Sequence, residues 1–170
     1  MTHSLLGAAL AKTRLGRASP LATPALIIAA NLPDIDLLAW LFGGKAAYLL
    51  HHRGITHSVL GIALEIVLLF LLLRWIERRR AGSHPRAVHV DRGLGVAILV
   101  GLISHVLLDS LNSYGLRPWL PFDGTWYYGD LVFVVEPWMW LIFGAAACLP
   151  GPHSRAGDVT YALLALGCQS

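Results

Sequence analysis

The chain has 170 residues, of which 56% are hydrophobic and only 14% are charged. A soluble domain of this size carries about a quarter charged residues, so the composition argues against a soluble protein and indicates a single membrane-embedded domain over residues 1–170. The net charge is +3, but the basic residues cluster in short connections, which is typical of membrane orientation and argues against a nucleic-acid partner.

The apolar segments, in chain order, predict an all-α helical bundle in the membrane. A short helix over 4–15 comes first, and four runs follow that are long enough, or nearly so, to cross a hydrocarbon core of about 30 Å. These runs are 21–42, 59–76, 93–111 and 131–149. A short apolar segment, 159–167, comes after them, and the sequence leaves open whether it crosses the membrane or lies at its surface.

Basic residues predict how these segments are oriented. Arginines crowd the linker 77–92, and three further basic residues lie in 12–17, before the first long run. Connections of this kind face the cytoplasm. The opposite, extracytoplasmic face then carries 43–58 and 112–130, and the second of these connections is rich in Trp and Tyr, as expected at a membrane interface.

Acidic and imidazole side chains gather on that predicted outer side. His105 and Asp109 are four residues apart and share one helix face, and ionisable groups at membrane depth are functional by default. The alternative is a core histidine bonded to a carbonyl oxygen, with an aspartate at a helix end. Further groups on this side are Asp34, Asp36, His52, His57, Asp130 and Glu136. A cluster of this composition is what a divalent metal ion binds.

Two carboxylates and a proline interrupt the first long run. Asp34 and Asp36 are two residues apart, so they repel each other unless a cation or a proton lies between them. The alternative is a kink with solvated carboxylates, and we favour the metal.

The first outer loop combines two imidazoles with a guanidinium. Arg53 lies between His52 and His57, and a guanidinium can bind a phosphate through two parallel hydrogen bonds. An ordinary polar loop before a helix is the alternative. His3 joins the cluster if the short first helix begins at the site, whereas Glu65, within the second long run, is expected to be structural.

Five segments, in this order, resemble the YdjM-type family of bacterial inner-membrane proteins, described as membrane-bound metal-dependent hydrolases. They are 2–7 (THSLLG), 32–36 (LPDID), 52–58 (HRGITHS), 104–115 (SHVLLDSLNSYG) and 119–122 (WLPF). The family is distantly similar to zinc-dependent phospholipases C. The resemblance implies a ligand set of His3, Asp34, Asp36, His52, His57, His105 and Asp109. Glu136 stands where the family usually has Asp, and a glutamate can still bind a metal.

The expected function is a membrane-bound hydrolase that cleaves a phosphoester at the outer face of the cytoplasmic membrane, with a lipid or lipid-linked molecule among the candidate substrates. Two or three divalent ions, zinc above all, would activate water. Asp34 or Asp36 would bridge metals or act as general base, and Arg53 would hold a phosphate oxygen. The alternatives are a divalent-metal transporter and a structural membrane protein. The sequence leaves the substrate and the oligomeric state open.

Overall fold

The computed structural model describes residues 1–38, 40, 43–45, 52–81, 92–132 and 137–148. Its α-helices are α1 (Thr2–Lys12), α2 (Ala22–Ala29), α3 (Val59–Ala81), α4 (Arg92–Leu111) and α5 (Pro137–Cys148). Three 3-10 helices, Arg14–Arg17, Leu32–Leu38 and Ile55–His57, lie between them. The described ranges contain isolated β-bridges but no β-strand, so the all-α prediction is confirmed for them. Glu136 and the segment 159–167 lie outside the described residues.

Two helices, α3 and α4, are long and apolar enough to cross a membrane. The spans are Val59–Arg79 and Arg92–Leu111, of 21 and 20 residues, and a helix of 20 residues is about 30 Å long. Only 11% of the first span is buried within the protein, so most of its apolar side chains face outward. These helices match the second and third predicted runs.

The first predicted run, 21–42, does not form one long helix, and the predicted count of about four spans is not confirmed. α2 has eight residues and is therefore only about 12 Å long. It is followed by the 3-10 helix Leu32–Leu38. Pro33 lacks a backbone N–H and disfavours the α conformation at the residue before it, which explains why the helix ends here. α5 has 12 residues, and the residues on either side of it are not among those described.

The core brings α2 against α1 and α4. Its buried members on α2 and α4 are Ala22, Ala25, Leu26, Ala29, Leu94, Ala97, Ile98 and Leu102. A Cβ atom added at Gly101 would lie 2.7 Å from the Ala29 Cβ atom, so only glycine permits this approach of α4 to α2. On α1, a Cβ atom added at Gly7 would lie 3.0 Å from the Cβ atom of Ala30. This packing brings the first residues of α1 and the last turns of α4 to the end of α2.

The candidate ligands and the basic residues lie at opposite ends of α3 and α4. His57 precedes the first residue of α3, and His105 and Asp109 belong to the last two turns of α4. Arg79 lies near the other end of α3, and Arg92 begins α4. This separation agrees with the positive-inside pattern, while the side of the membrane on which the candidate ligands lie stays a prediction.

Candidate metal centre

His105 is held by a backbone carbonyl group. Its ring is buried, and Nδ1 lies 2.8 Å from the carbonyl oxygen of Ala30. A carbonyl oxygen can only accept, so Nδ1 carries a proton, and the neutral ring then has a lone pair at Nε2. Protein metal sites commonly orient a ligand histidine in this way, through the N–H that does not face the metal.

The ring of His57 is oriented in the same way, through its Nδ1 atom, by the side chains of Thr56 and Asp36. Thr56 Oγ1 donates to Asp36 Oδ2 at 3.2 Å, so it can only accept from His57 Nδ1, which lies 3.0 Å away. Burial lowers the pKa of His57, although the nearby Asp109 carboxylate acts in the opposite direction. The neutral ring is therefore favoured, with its lone pair at Nε2, and this atom lies 3.1 Å from Nε2 of His105.

Asp109 presents one oxygen to donors and the other to the two histidines. Its Oδ1 atom lies 3.0 Å from a terminal nitrogen of Arg53 and 3.3 Å from Nε2 of His3. Its Oδ2 atom is buried and accepts no hydrogen bond, yet it lies 3.2 Å from Nε2 of His57 and 3.5 Å from Nε2 of His105. The second oxygen is thus free to bind a cation.

Asp34 completes a group of four. Its Oδ1 atom lies 3.7 Å from Nε2 of His105, and one ligand atom each from Asp34, His57, His105 and Asp109 lies within 4.8 Å of the others. Two imidazole nitrogens and two carboxylate oxygens fit a divalent ion such as zinc. The buried Oδ2 atom without a donor and the two facing Nε2 atoms show that the residues fit such an ion.

Asp36 makes hydrogen bonds to the loop that carries His57. Its Oδ1 atom lies 3.2 Å from Nδ1 of His52, and its Oδ2 atom accepts the backbone N–H of Arg53 at 2.7 Å. Burial would raise the pKa of Asp36, but these hydrogen bonds keep it below its usual value. Asp36 and His52 therefore lie beside the four-residue group, and the ligand role predicted for each stays a prediction.

Arg53 joins the same loop to the end of α4. One terminal nitrogen donates to Asn112 Oδ1 at 2.7 Å and to the carbonyl oxygen of Gly115 at 3.2 Å, and the other reaches Asp109. Its φ angle is 53°. Residues other than glycine rarely adopt this left-handed backbone conformation, and those that do cluster at functional sites. The phosphate contact predicted for Arg53 stays a prediction, and the observed contacts position Asp109.

His3, near the beginning of α1, packs against the cluster. Its ring stacks on that of His105 with 3.8 Å between centroids, and its Nδ1 atom is buried without a hydrogen-bond partner. This placement follows from the packing of α1 on α2, and the metal-ligand role of His3 stays a prediction.

The chain matches a known protein family over almost its whole length. The family described as YdjM inner membrane protein matches residues 1–169. The chain belongs to this family. Inner membrane protein YbcI of Escherichia coli is 32% identical over 155 residues, a match that covers 75% of this chain and 83% of that protein. The uncharacterized protein YfhP of Bacillus subtilis is 26% identical over 125 residues, covering 74% of this chain and 35% of that protein. No solved structure matches the chain.

The YdjM family is described as an inner membrane protein, and the two apolar spans are consistent with a membrane protein. Sequence reasoning missed Thr56 and Asn112, although both lie in the quoted segments, because neither has the chemistry of a preferred metal ligand. Of the remaining candidates, Asp130 is exposed. Glu65 is buried in α3, where its Oε2 atom has no hydrogen-bond partner.

Proposed function

We propose that this protein is a membrane-bound, metal-dependent hydrolase that cleaves a phosphoester at the outer face of the cytoplasmic membrane. One observation carries the proposal. The Nε2 atoms of His57 and His105 and the Oδ2 atom of Asp109 lie 3.1–3.5 Å apart, and when both rings are neutral their Nδ1 contacts leave no proton among these atoms. Buried acceptors at this distance repel one another unless a cation lies between them.

The chemistry of the site follows from its residues. A divalent ion held by Asp34, His57, His105 and Asp109 would supply a nucleophilic water at neutral pH. Asp34 is the group's partly exposed carboxylate, with 27% of its side chain accessible. We assign it the transfer of a proton from an entering water, since its partners in the group are buried.

Arg53 supports a phosphate-containing substrate. Its Nε atom is buried and has no hydrogen-bond partner, while both terminal nitrogens are engaged. The Nε–H group is therefore an unsatisfied donor, and a phosphate oxygen that reached it would accept its hydrogen bond. We propose that Arg53 positions Asp109 and offsets negative charge that develops on the phosphate.

The placement in the membrane supports a substrate with a lipid-like character. The candidate ligands lie at the end of α3 and α4 opposite the basic residues, which favours an extracytoplasmic site at the membrane surface. A multi-pass protein with its site at this depth meets lipid headgroups directly. The bilayer is therefore its first partner, and a lipid or lipid-linked phosphoester is the substrate class that we propose.

A divalent-metal transporter is the second candidate, because Glu65 places a buried carboxylate further along α3, with its Oε2 atom lacking a hydrogen-bond partner. Intramembrane carboxylates of this kind are typical of ion pathways. The experiment that separates the two functions compares purified protein with a His105→Ala variant in two assays. Zinc-dependent hydrolysis of bis-p-nitrophenyl phosphate, abolished in the variant, supports the hydrolase. Zinc flux into proteoliposomes without hydrolysis would support the transporter.

A further inference from the structure

A shallow apolar groove of about 620 Å³ runs along the end of α2 and the 3-10 helix after it. Its aliphatic lining consists of Ile27, Ile28, Leu32, Ile35, Leu37 and Leu38. Asn31 and Asp34 add polar groups. Most of the aliphatic side chains are exposed, so the groove is a surface open to a ligand.

Asp34 belongs both to this groove and to the candidate metal centre. Its side chain is 27% exposed, whereas those of His105 and Asp109 are 0% and 3% exposed. Because the other members of the group are buried, the side of the metal centre that opens outward is the side of Asp34. A ligand that reaches the metal centre from this side also contacts the groove.

We propose that the groove binds the hydrocarbon chain of an amphiphilic phosphoester substrate, with the phosphate at the metal centre. This inference rests on the hydrolase activity proposed above and names the part of the protein that recognises the substrate. The volume of the groove falls within the range of about 300–1,000 Å³ that is usual for small-molecule sites.

The lining favours a hydrocarbon over a peptide or a nucleic acid. A bound peptide needs partners for each of its backbone N–H and C=O groups, but Asn31 and Asp34 are the two polar side chains of the described lining, and the Asn31 amide already bonds to Ser4 and to the Ile27 carbonyl oxygen. The described lining offers no basic side chain to a polyanion, and the carboxylate of Asp34 would repel one. An aliphatic chain needs neither hydrogen-bond partners nor a basic side chain, so it suits this lining.

The aromatic loop after α4 supports the same occupant. Trp119, Phe122 and Tyr128 are exposed, Phe122 by 88%, and they follow the end of α4 that carries Asp109. Exposed aromatic side chains of a membrane protein mark the depth of the lipid headgroups. At that depth the phosphate of an amphiphile can reach the metal centre while its chain lies along the groove.

The test uses two substrates that share one scissile bond, methyl p-nitrophenyl phosphate and dodecyl p-nitrophenyl phosphate, in the same detergent. The measured quantity is the ratio of kcat/KM for the dodecyl ester to that for the methyl ester. Ile28→Trp fills the groove and should lower this ratio by about tenfold, through the loss of packing around about two methylene groups. Leu71→Trp, on an exposed face of α3, is the matched control and should leave the ratio unchanged.

Two results would contradict binding of the hydrocarbon chain in the groove without contradicting the hydrolase activity. One is an unchanged ratio in both Ile28→Trp and the second groove variant Ile35→Trp. The other is an equal loss of activity on both esters. If the wild-type protein cleaves neither ester, the hydrolase proposal fails, and photo-cross-linking with dodecyl phosphate that carries a terminal diazirine tests the groove alone. Labelling of residues 27–38 that Ile28→Trp reduces supports it, whereas labelling elsewhere contradicts it.

Discussion

The Nε2 atoms of His57 and His105 lie 3.1 Å apart, and the other nitrogen of each ring, Nδ1, makes a hydrogen bond that orients the ring. The carbonyl oxygen of Ala30 holds His105, and the hydroxyl of Thr56 holds His57. Both contacts require a protonated Nδ1. In the neutral rings two lone pairs therefore face each other in a buried position, an arrangement that a shared cation stabilises.

The hydrogen bonds that orient His57 predict a loss of metal affinity in Asp36→Asn. The substitution replaces one of two oxygen acceptors by an amide donor, so the contacts that Thr56 and Arg53 make with Oδ2 and the contact that His52 makes with Oδ1 cannot all persist unchanged. Outer contacts of this kind are worth about 10–100-fold in metal affinity. Competition with a chromophoric zinc chelator measures this loss. Complete loss of zinc would instead assign Asp36 as a ligand, and unchanged affinity would remove its positioning role.

Arg53→Lys separates two functions of the guanidinium. Lysine retains the charge but cannot contact Asn112, Gly115 and Asp109 together, because it lacks the planar fork of donors. We expect zinc affinity to fall by about 10–100-fold, since Asp109 is no longer held. Chelator competition, paired with the KM for bis-p-nitrophenyl phosphate, measures both effects. A raised KM with unchanged zinc affinity would assign Arg53 to phosphate binding alone.

The close approach of α2 and α4 predicts opposite effects for two glycines in one helix. Gly101→Ala places a Cβ atom 2.7 Å from that of Ala29, whereas Gly95 has open space around it. Overpacking at Gly101 should lower the free energy of unfolding by about 1–3 kcal/mol. Gly95→Ala should raise it by up to about 1 kcal/mol, through helix propensity. Denaturant unfolding in detergent compares them, and equal effects would contradict this packing.

The predicted orientation can be tested with single cysteines in a background without Cys148 and Cys168. Asp123→Cys lies in the exposed loop after α4, at the end of the bundle that carries the candidate ligands. Arg79→Cys lies near the opposite end of α3. A membrane-impermeant maleimide should label the first variant in intact cells and the second only after lysis. The reverse pattern would place the site in the cytoplasm.

Much of the site could be predicted because its chemistry is local. The spacing of His105 and Asp109 puts them on one helix face, and the cost of such residues at membrane depth indicates a function. The two long spans follow from hydropathy alone. In contrast, the run 21–42 has the hydropathy of a span, but the proline at 33 divides it into α2 and a 3-10 helix.

The different tasks of Asp34 and Asp36 could not be predicted. Both carboxylates suit a metal equally well, and only the 3-10 geometry turns Asp34 toward His105 and Asp36 toward His52 and Arg53. The contact of Arg53 with Asn112 joins residues 59 positions apart. Such a pairing depends on tertiary packing, which a single sequence does not reveal.

The metal content of the purified protein tests the central claim most directly. Elemental analysis should find at least one divalent ion per chain in the wild-type protein and in Leu99→Ala, an exposed position of α4. His57→Ala and His105→Ala should each lose that ion, since each removes one of the two facing nitrogens. A folded wild-type protein that contains no divalent metal, and takes up no zinc at neutral pH, would contradict the account.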